Sequence, residues 1–322
     1  TRKKMSVLSN KSLICIMGPT ASGKTRLAAK LAYAVDGEII SADSRQVYKH
    51  MDIGTGKDLQ EYTIDNVDIA IHLINIVPPG YHYSVFEYQR DFFRVYEEIQ
   101  KRNRQAILCG GSGMYIDAVL NNYHLQPVPE NKKLRESLAK LPMQSLVDIL
   151  TSYKSLHNTS DTSDRQRLLR AVEIQAYYAE TPTSNRTFNL DPILFYIHFE
   201  RDVLRKRITQ RLHDRLKNGM IQEVEKLMND GLSADQLLYY GLEYKHIALY
   251  LTGKVTYEEM QEKLMIAIHQ FAKRQETWFR KMQRNGFHMH YVEGAMTEDE
   301  KMHFMLQTLG NYTANYLNNE DK

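Results

Sequence analysis

An eight-residue glycine loop, Gly18-Pro-Thr-Ala-Ser-Gly23-Lys24-Thr25, separates an apolar run from a helix-like stretch. No other feature constrains the fold as strongly. The residues before it, Leu13 to Met17, are continuously apolar, as a strand buried on both faces must be. Those after it, Lys24 to Val35, have helical spacing. A G-x-x-x-x-G-K-[ST] pattern between strand and helix curls backbone N–H groups around phosphate oxygens, and the helix N-terminus adds partial positive charge. Gly18, Pro19, Thr20, Ala21, Ser22, Gly23, Lys24 and Thr25 are therefore candidate diphosphate-binding residues. Lys24 neutralises phosphate charge, and the Thr25 hydroxyl is the candidate ligand for Mg²⁺. The loop implies a bound di- or triphosphate and does not distinguish between them.

The strand–helix alternation continues. Glu38–Ala42 reads as a second strand, Ala70–Val77 as a third and Gln105–Cys109 as a fourth, with a helix over Val85–Arg102. Such alternation predicts an α/β fold: a phosphate-loop parallel sheet flanked by helices, with ligands at the carboxyl ends of the strands. Asp43 follows the second strand directly, which puts its carboxylate beside the phosphate site as a Mg²⁺ partner or proton acceptor. No apolar run ends in the Asp-Glu pair that would activate water for nucleotide hydrolysis.

The pattern changes near residue 124. Residues 1–124 read as the first part of the core. Residues 125–190 carry Ser/Thr-dotted helical segments punctuated by Pro127, Pro129, Pro142 and Pro182, and read as an inserted all-helical domain. A strand returns at Ile193–Phe199, so 191–322 read as a return strand and a helical C-terminal part, with a polar tail expected to fray from Asn311. The only cysteines, Cys15 and Cys109, sit in apolar runs, which excludes a cysteine zinc site or a disulfide framework. No stretch is long and apolar enough for a membrane span, and the expectation is a cytoplasmic protein with no membrane association. The net charge of +3 is too small to argue for nucleic acid by itself.

Several segments together resemble the tRNA dimethylallyltransferases, also called tRNA isopentenyltransferases. The glycine loop looks like that family's form. Asp43-Ser-Arg-Gln-Val-Tyr48 resembles its D-S-x-[LQ]-[IV]-Y, and Met51-Asp-Ile-Gly-Thr-Gly-Lys57 resembles M-D-I-G-T-A-K, with Gly56 in place of the alanine. Gly110-Gly-Ser-Gly-Met-Tyr115 is similar to G-G-T-G-L-Y, Arg167-Leu-Leu-Arg-Ala-Val-Glu173 to R-x-x-R-A-L-E, and Lys273-Arg-Gln-Glu-Thr-Trp-Phe-Arg280 to K-R-Q-x-T-W-F-R. The segments occur in family order across about residues 13–285, in the short, bacterial-like form without a zinc-finger extension.

The resemblance implies transfer of a dimethylallyl group from dimethylallyl diphosphate to N6 of the adenosine adjacent to the anticodon of tRNA, with release of diphosphate and with Mg²⁺ as cofactor. It implies three catalytic residues. Asp43 would accept the N6 proton, Thr20 would contact the diphosphate near its bridging oxygen, and Arg211 would bind the diphosphate. Arg211 lies in Arg211-Leu-His-Asp-Arg-Leu-Lys-Asn-Gly219, matching R-[LFV]-x-x-[MR]-L-x-x-G with Arg215 where methionine is usual. Gly241-Leu-Glu-Tyr-Lys245 replaces the common G-Y-[RK]-[EQ].

A base inside a stacked loop must be flipped out to reach a buried carboxylate, and loops are recognised by shape, phosphate contacts and splayed bases. Candidate contacts to the tRNA anticodon loop are Ser44, Arg45, Gln46, Ser112, Arg135, Gln166, Arg167, Arg170, Lys273, Arg274 and Gln275. Two basic clusters, 201–217 and 273–284, suit phosphates and stacked bases, and Trp278 is expected to be at least half buried. Two other functions fit less of the sequence: prenylation of free AMP, ADP or ATP, and a small-molecule kinase built on the same loop. No obligatory protein partner is implied, and a monomer is expected.

Overall fold

The computed structural model describes residues 12–153, 164–181 and 188–320, with side chains to residue 314. Pro182 lies outside the described residues. The chain divides into two compact units, residues 1–121 with 189–322 and residues 122–188.

The larger unit starts with β1 (Ser12–Met17), α1 (Lys24–Val35) and β2 (Gly37–Ala42), followed by a short hairpin, β3 (Thr63–Ile64) with β4 (Val67–Asp68). Then come β5 (Ile71–His72), α2 (Val85–Lys101), β6 (Gln105–Gly110) and α3 (Gly113–Leu120). The smaller unit contributes α4 (Lys132–Ala139), α5 (Met143–Tyr153) and α6 (Arg165–Glu180). The larger unit resumes with β7 (Asp191–His198), α7 (Arg201–Lys217), α8 (Met220–Asn229), α9 (Ala234–Leu237), α10 (Leu242–Leu251), α11 (Tyr257–Arg284), β8 (Met289–Glu293) and α12 (Glu298–Glu320).

Six strands form one parallel sheet in the order β5-β2-β6-β1-β7-β8. Every residue of β1, β2 and β6 is buried, which is why these strands are mostly apolar, with Ser12, Glu38, Ser41 and Gln105 the buried polar exceptions. The register matters for function. Met17 and Ala42 both lie opposite Gly110, so three strands end level. The glycine loop, Asp43 and Gly111–Ser112 therefore leave the sheet along one edge.

The third strand is shorter than its sequence suggests. Only Ile71 and His72 pair with β2, because Leu73 (φ 59°) and Asn75 (φ 54°) adopt left-handed conformations that no extended strand can pass. Val77 makes a single parallel bridge to Tyr48. The helix α12 continues through Asn311 to Glu320. A further strand, β8, extends the sheet beyond β7; its Met-His-Tyr-Val-Glu sequence is too short and polar to stand out as one.

In the smaller unit, Leu138, Leu146, Leu150, Leu168 and Val172 form the core. Its polar centre is Glu173, 1% exposed, which accepts from Asn131 N (2.6 Å), from Arg135 Nε (2.9 Å) and Nη2 (2.8 Å), and from Arg170. A buried carboxylate is tolerable only when it is paired in this way.

Candidate active site

The phosphate loop is held from behind by α11. Gln275, 7% exposed, accepts a hydrogen bond from Thr20 N (2.9 Å) and donates one to Gly111 O (2.9 Å), tying the loop to the end of β6. Lys24 Nζ donates to Pro19 O at 3.2 Å. Burial holds the Lys24 ammonium below the usual lysine range, while the nearby charges of Cys109 and Asp43 oppose the shift. A cation in that state gains by meeting an anion. Among the described residues, the Ser22 hydroxyl is buried without a partner, which suits a loop that wraps an acceptor-rich ligand. Thr25 is half-buried at the start of α1.

The opposite wall is α7. Arg207, Arg211 and Arg215 lie four residues apart, one above the next on a single helical face. Arg207 Nε donates to Ala21 O (2.9 Å), and its guanidinium lies 4.7 Å from the Phe199 ring centre. Arg211 reaches Thr20 Oγ1 (3.3 Å) and Asp58 Oδ2 (3.0 Å). Arg215 reaches the same Asp58 oxygen at 3.5 Å. Burial, with the Arg211 charge beside it, holds the Arg215 guanidinium below its ordinary range. Thr20, Ala21, Arg211, Arg215 and Glu243 line a cavity here with Ile208, Leu212, Met220 and Ile268. Burial pushes the Glu243 carboxyl above the usual glutamate range.

Asp43 is half-buried at the end of β2 and accepts from Arg45 N (2.9 Å), which fixes its carboxylate with an Asx turn. Ser44 N donates to Ser112 Oγ (2.9 Å), and Ser112 N to Ala42 O (3.1 Å), so Ser112 locks the two strand ends together. The Arg45 guanidinium lies over the exposed Tyr239 ring at 5.1 Å. The site thus combines a glycine loop at a helix N-terminus, three arginines and a carboxylate on one sheet edge. Among the described residues, no group of three or more His, Cys, Asp or Glu could hold a metal ion. A Mg²⁺ ion here would take Thr25 as its protein ligand and fill its remaining positions with ligand oxygens and water.

A family model described as IPP transferase matches residues 46–282. The chain is 52% identical over 298 residues to tRNA dimethylallyltransferase 2 of Bacteroides fragilis, covering 92% of this chain and 97% of the relative. It is 50% identical over 300 residues to tRNA dimethylallyltransferase 1 of Parabacteroides distasonis, covering 93% and 98%. This chain belongs to the IPP transferase family. Its fold matches the crystal structure of the full-length tRNA isopentenylpyrophosphate transferase from Bacillus halodurans, with a TM-score of 0.72 and 29% identity over 97% of this chain and 100% of that one. A eukaryotic dimethylallyltransferase acting on tRNA shares the fold at a TM-score of 0.70 and 22% identity, over 88% and 74%.

Several candidate RNA contacts have partners inside this family member. Gln275 is buried between the phosphate loop and Gly111, so its amide faces the protein and not RNA. Gln46 Nε2 is also turned inward, to Gly56 O (3.1 Å) and Thr55 O (3.4 Å). Arg135 and Arg170 are drawn onto Glu173, and Arg170 also donates to Val128 O (2.8 Å). Gln166, Arg167, Lys273 and Arg274 are exposed. Trp278 is mostly buried, packed where a Cβ on Gly113 would come within 2.9 Å of the Trp278 Cβ, so only glycine allows that approach.

Asp58 and Glu223 are not among the candidates the sequence offers, and Arg207 stands out there only as part of the 201–217 basic cluster. The four-residue arginine spacing was a visible signal for Arg207. Glu223 has none in sequence: it accepts from the amides of Asp52 (2.9 Å), Ile53 (2.7 Å) and Gly54 (3.0 Å) and from the Tyr244 hydroxyl (2.6 Å), clasping the loop that carries Asp58.

Proposed function

We propose that this protein transfers a dimethylallyl group from dimethylallyl diphosphate to N6 of the adenosine adjacent to the anticodon of tRNA. In that reaction the N6 lone pair forms a bond to C1 of the prenyl group, the C1–oxygen bond breaks, and diphosphate leaves with the electron pair. Adenine N6 is a poor nucleophile because its lone pair is delocalised into the ring. A carboxylate that takes its proton as the bond forms raises its reactivity, and Asp43 has that role. The leaving diphosphate develops negative charge, which the backbone amides of Gly18–Thr25, Lys24 and Arg211 offset in a preorganised, partly dry site. Thr20, which accepts from Arg211 through its hydroxyl, would contact the diphosphate near its bridging oxygen. Mg²⁺ held at Thr25 supplies further charge neutralisation when bound.

The observation that carries this reading is the level ending of β1, β2 and β6, which sets the Asp43 carboxylate beside a phosphate cradle faced by arginines. A kinase or an ATPase needs a phosphate acceptor or a water-activating pair, and neither the sequence nor the relatives point to one. Relatives at about half identity that bear the name tRNA dimethylallyltransferase support both the donor and the acceptor class.

The test is mass spectrometry of nucleosides from tRNA incubated with the protein and dimethylallyl diphosphate, beside a reaction with free AMP. A prenyl mass on adenosine in tRNA and none on AMP is expected. Prenylated AMP with unmodified tRNA would replace the reading with free-nucleotide prenylation.

A further inference from the structure

Two unusual residues of this chain touch each other. Gly56 adopts φ +70°, and a Cβ added to it would lie 2.8 Å from Arg211 Nη2 and closer still to Arg215 Nη2. Both guanidiniums occupy the space a side chain at position 56 would fill. They share one counter-ion, Asp58, two residues further along the same loop. That loop is rigid. Glu223 clasps its amides at Asp52–Gly54, and the buried Lys57 ammonium donates to Asp52 Oδ1 (2.7 Å) and Tyr48 O (2.6 Å). Gly56 and Arg215 are also the two positions at which their motifs depart from the commoner residue, alanine and methionine. In the fold these two departures are a single feature.

We propose that Arg215 is a second diphosphate-binding arginine, admitted to the phosphate site by the missing side chain of Gly56 and held there by Asp58. The placement supports this. Arg215 lines a water-sized crevice beside the glycine loop together with Thr20, Ala21 and Arg211. Its side chain is 14% exposed against 33% for Arg211, so its charge is the less screened of the two. One carboxylate shared by two guanidiniums leaves a net positive charge facing the loop. Glu243 lines the cavity as well, but burial favours its neutral form, which limits how far it cancels that charge. A planar guanidinium reads two phosphate oxygens at once. With Arg211 it would grip the diphosphate from both sides of Asp58.

The inference rests on the proposed function, and the experiment separates the two. Inorganic diphosphate binding is measured by calorimetry, and prenyl transfer to an anticodon stem-loop is measured with donor and RNA varied separately. Wild type, Arg215→Met, Gly56→Ala and the double variant are compared. Methionine keeps an unbranched apolar stem and removes the guanidinium. Arg215→Met is expected to weaken diphosphate binding and raise KM for the donor by about tenfold, the scale of one charge-assisted hydrogen bond, with KM for RNA unchanged. Gly56→Ala is expected to cost at least as much in wild type and much less once Arg215 is methionine. Strain from the positive φ is the same in both backgrounds and cancels in the cycle. Thermal melting of each variant identifies any that fails to fold.

Diphosphate binding by Arg215→Met equal to wild type would overturn the proposal, as would an equal cost of Gly56→Ala in both backgrounds. A wild type that binds no diphosphate and transfers no prenyl group would instead bring down the proposed function, and this inference with it.

Discussion

Gln275 accepts the backbone N–H of Thr20 at 2.9 Å across a sequence separation of 255 residues. Its other amide atom donates to Gly111 O at the same distance. One side chain on α11 therefore sets the height of the phosphate loop above the sheet. Gln275→Leu removes both bonds and leaves a buried N–H and C=O without partners. A stability loss of about 2 kcal/mol is expected, together with a several-fold rise in KM for the prenyl donor and an unchanged KM for RNA. Denaturant melts and steady-state kinetics measure both. A rise confined to the RNA KM would return Gln275 to the RNA face.

Asp43 is fixed by the Arg45 amide, so replacing it need not move the loop. Asp43→Ala is expected to lower kcat by roughly 10²–10⁴-fold, the usual range for a lost general base, with diphosphate binding retained. Single-turnover prenyl transfer measures this. Turnover close to wild type would assign the proton to another acceptor.

Arg167 and Arg170 look equivalent in sequence, three apart on one helix, but they differ in the fold. Arg170 is spent on Glu173 and Val128 O, whereas Arg167 is exposed and, among the described residues, its backbone N–H donates to Asp164. Arg167→Ala is expected to lower the salt dependence of tRNA binding by about one counterion, a slope change near 0.7–0.9, without changing Tm. Arg170→Ala is expected to do the reverse, lowering Tm. Filter binding across a salt series and thermal melts separate them, and equal salt slopes for the two variants would contradict the distinction.

The same contrast shows what the sequence could reveal. Buried parallel strands announce themselves as apolar runs, so β1, β2, β6 and β7 and the edge they share were legible, and with them the place of Asp43. The direction of a polar side chain was not. Arg207 and Arg215 turn to the phosphate loop because α7 buries Leu204, Ile208, Leu212 and Leu216 on an adjacent stripe, a choice made by packing. Gln46 and Gln275 belong to motifs that suggest RNA contact, yet each satisfies backbone groups of a neighbouring loop. That need arises only once the loops are in place.

Glu173 gives the smaller unit a pH dependence with a definite sign. Burial alone would raise its pKa, but Arg135, the Asn131 amide and Arg170 overcome burial and hold it at about 2. A depressed carboxylate pKa stabilises the fold above the ordinary glutamate value and loses that contribution as pH falls through the folded value. The stabilisation should therefore be complete above about pH 4.5 and fade toward pH 2, with a full size on the order of 3 kcal/mol. Glu173→Gln keeps the shape and removes the charge. Its stability deficit against wild type, followed by hydrogen exchange in α6, should be constant near neutrality and shrink below pH 4.5. A deficit independent of pH down to 3 would mean that packing, and not the ion pairs with Arg135 and Arg170, holds the three helices together.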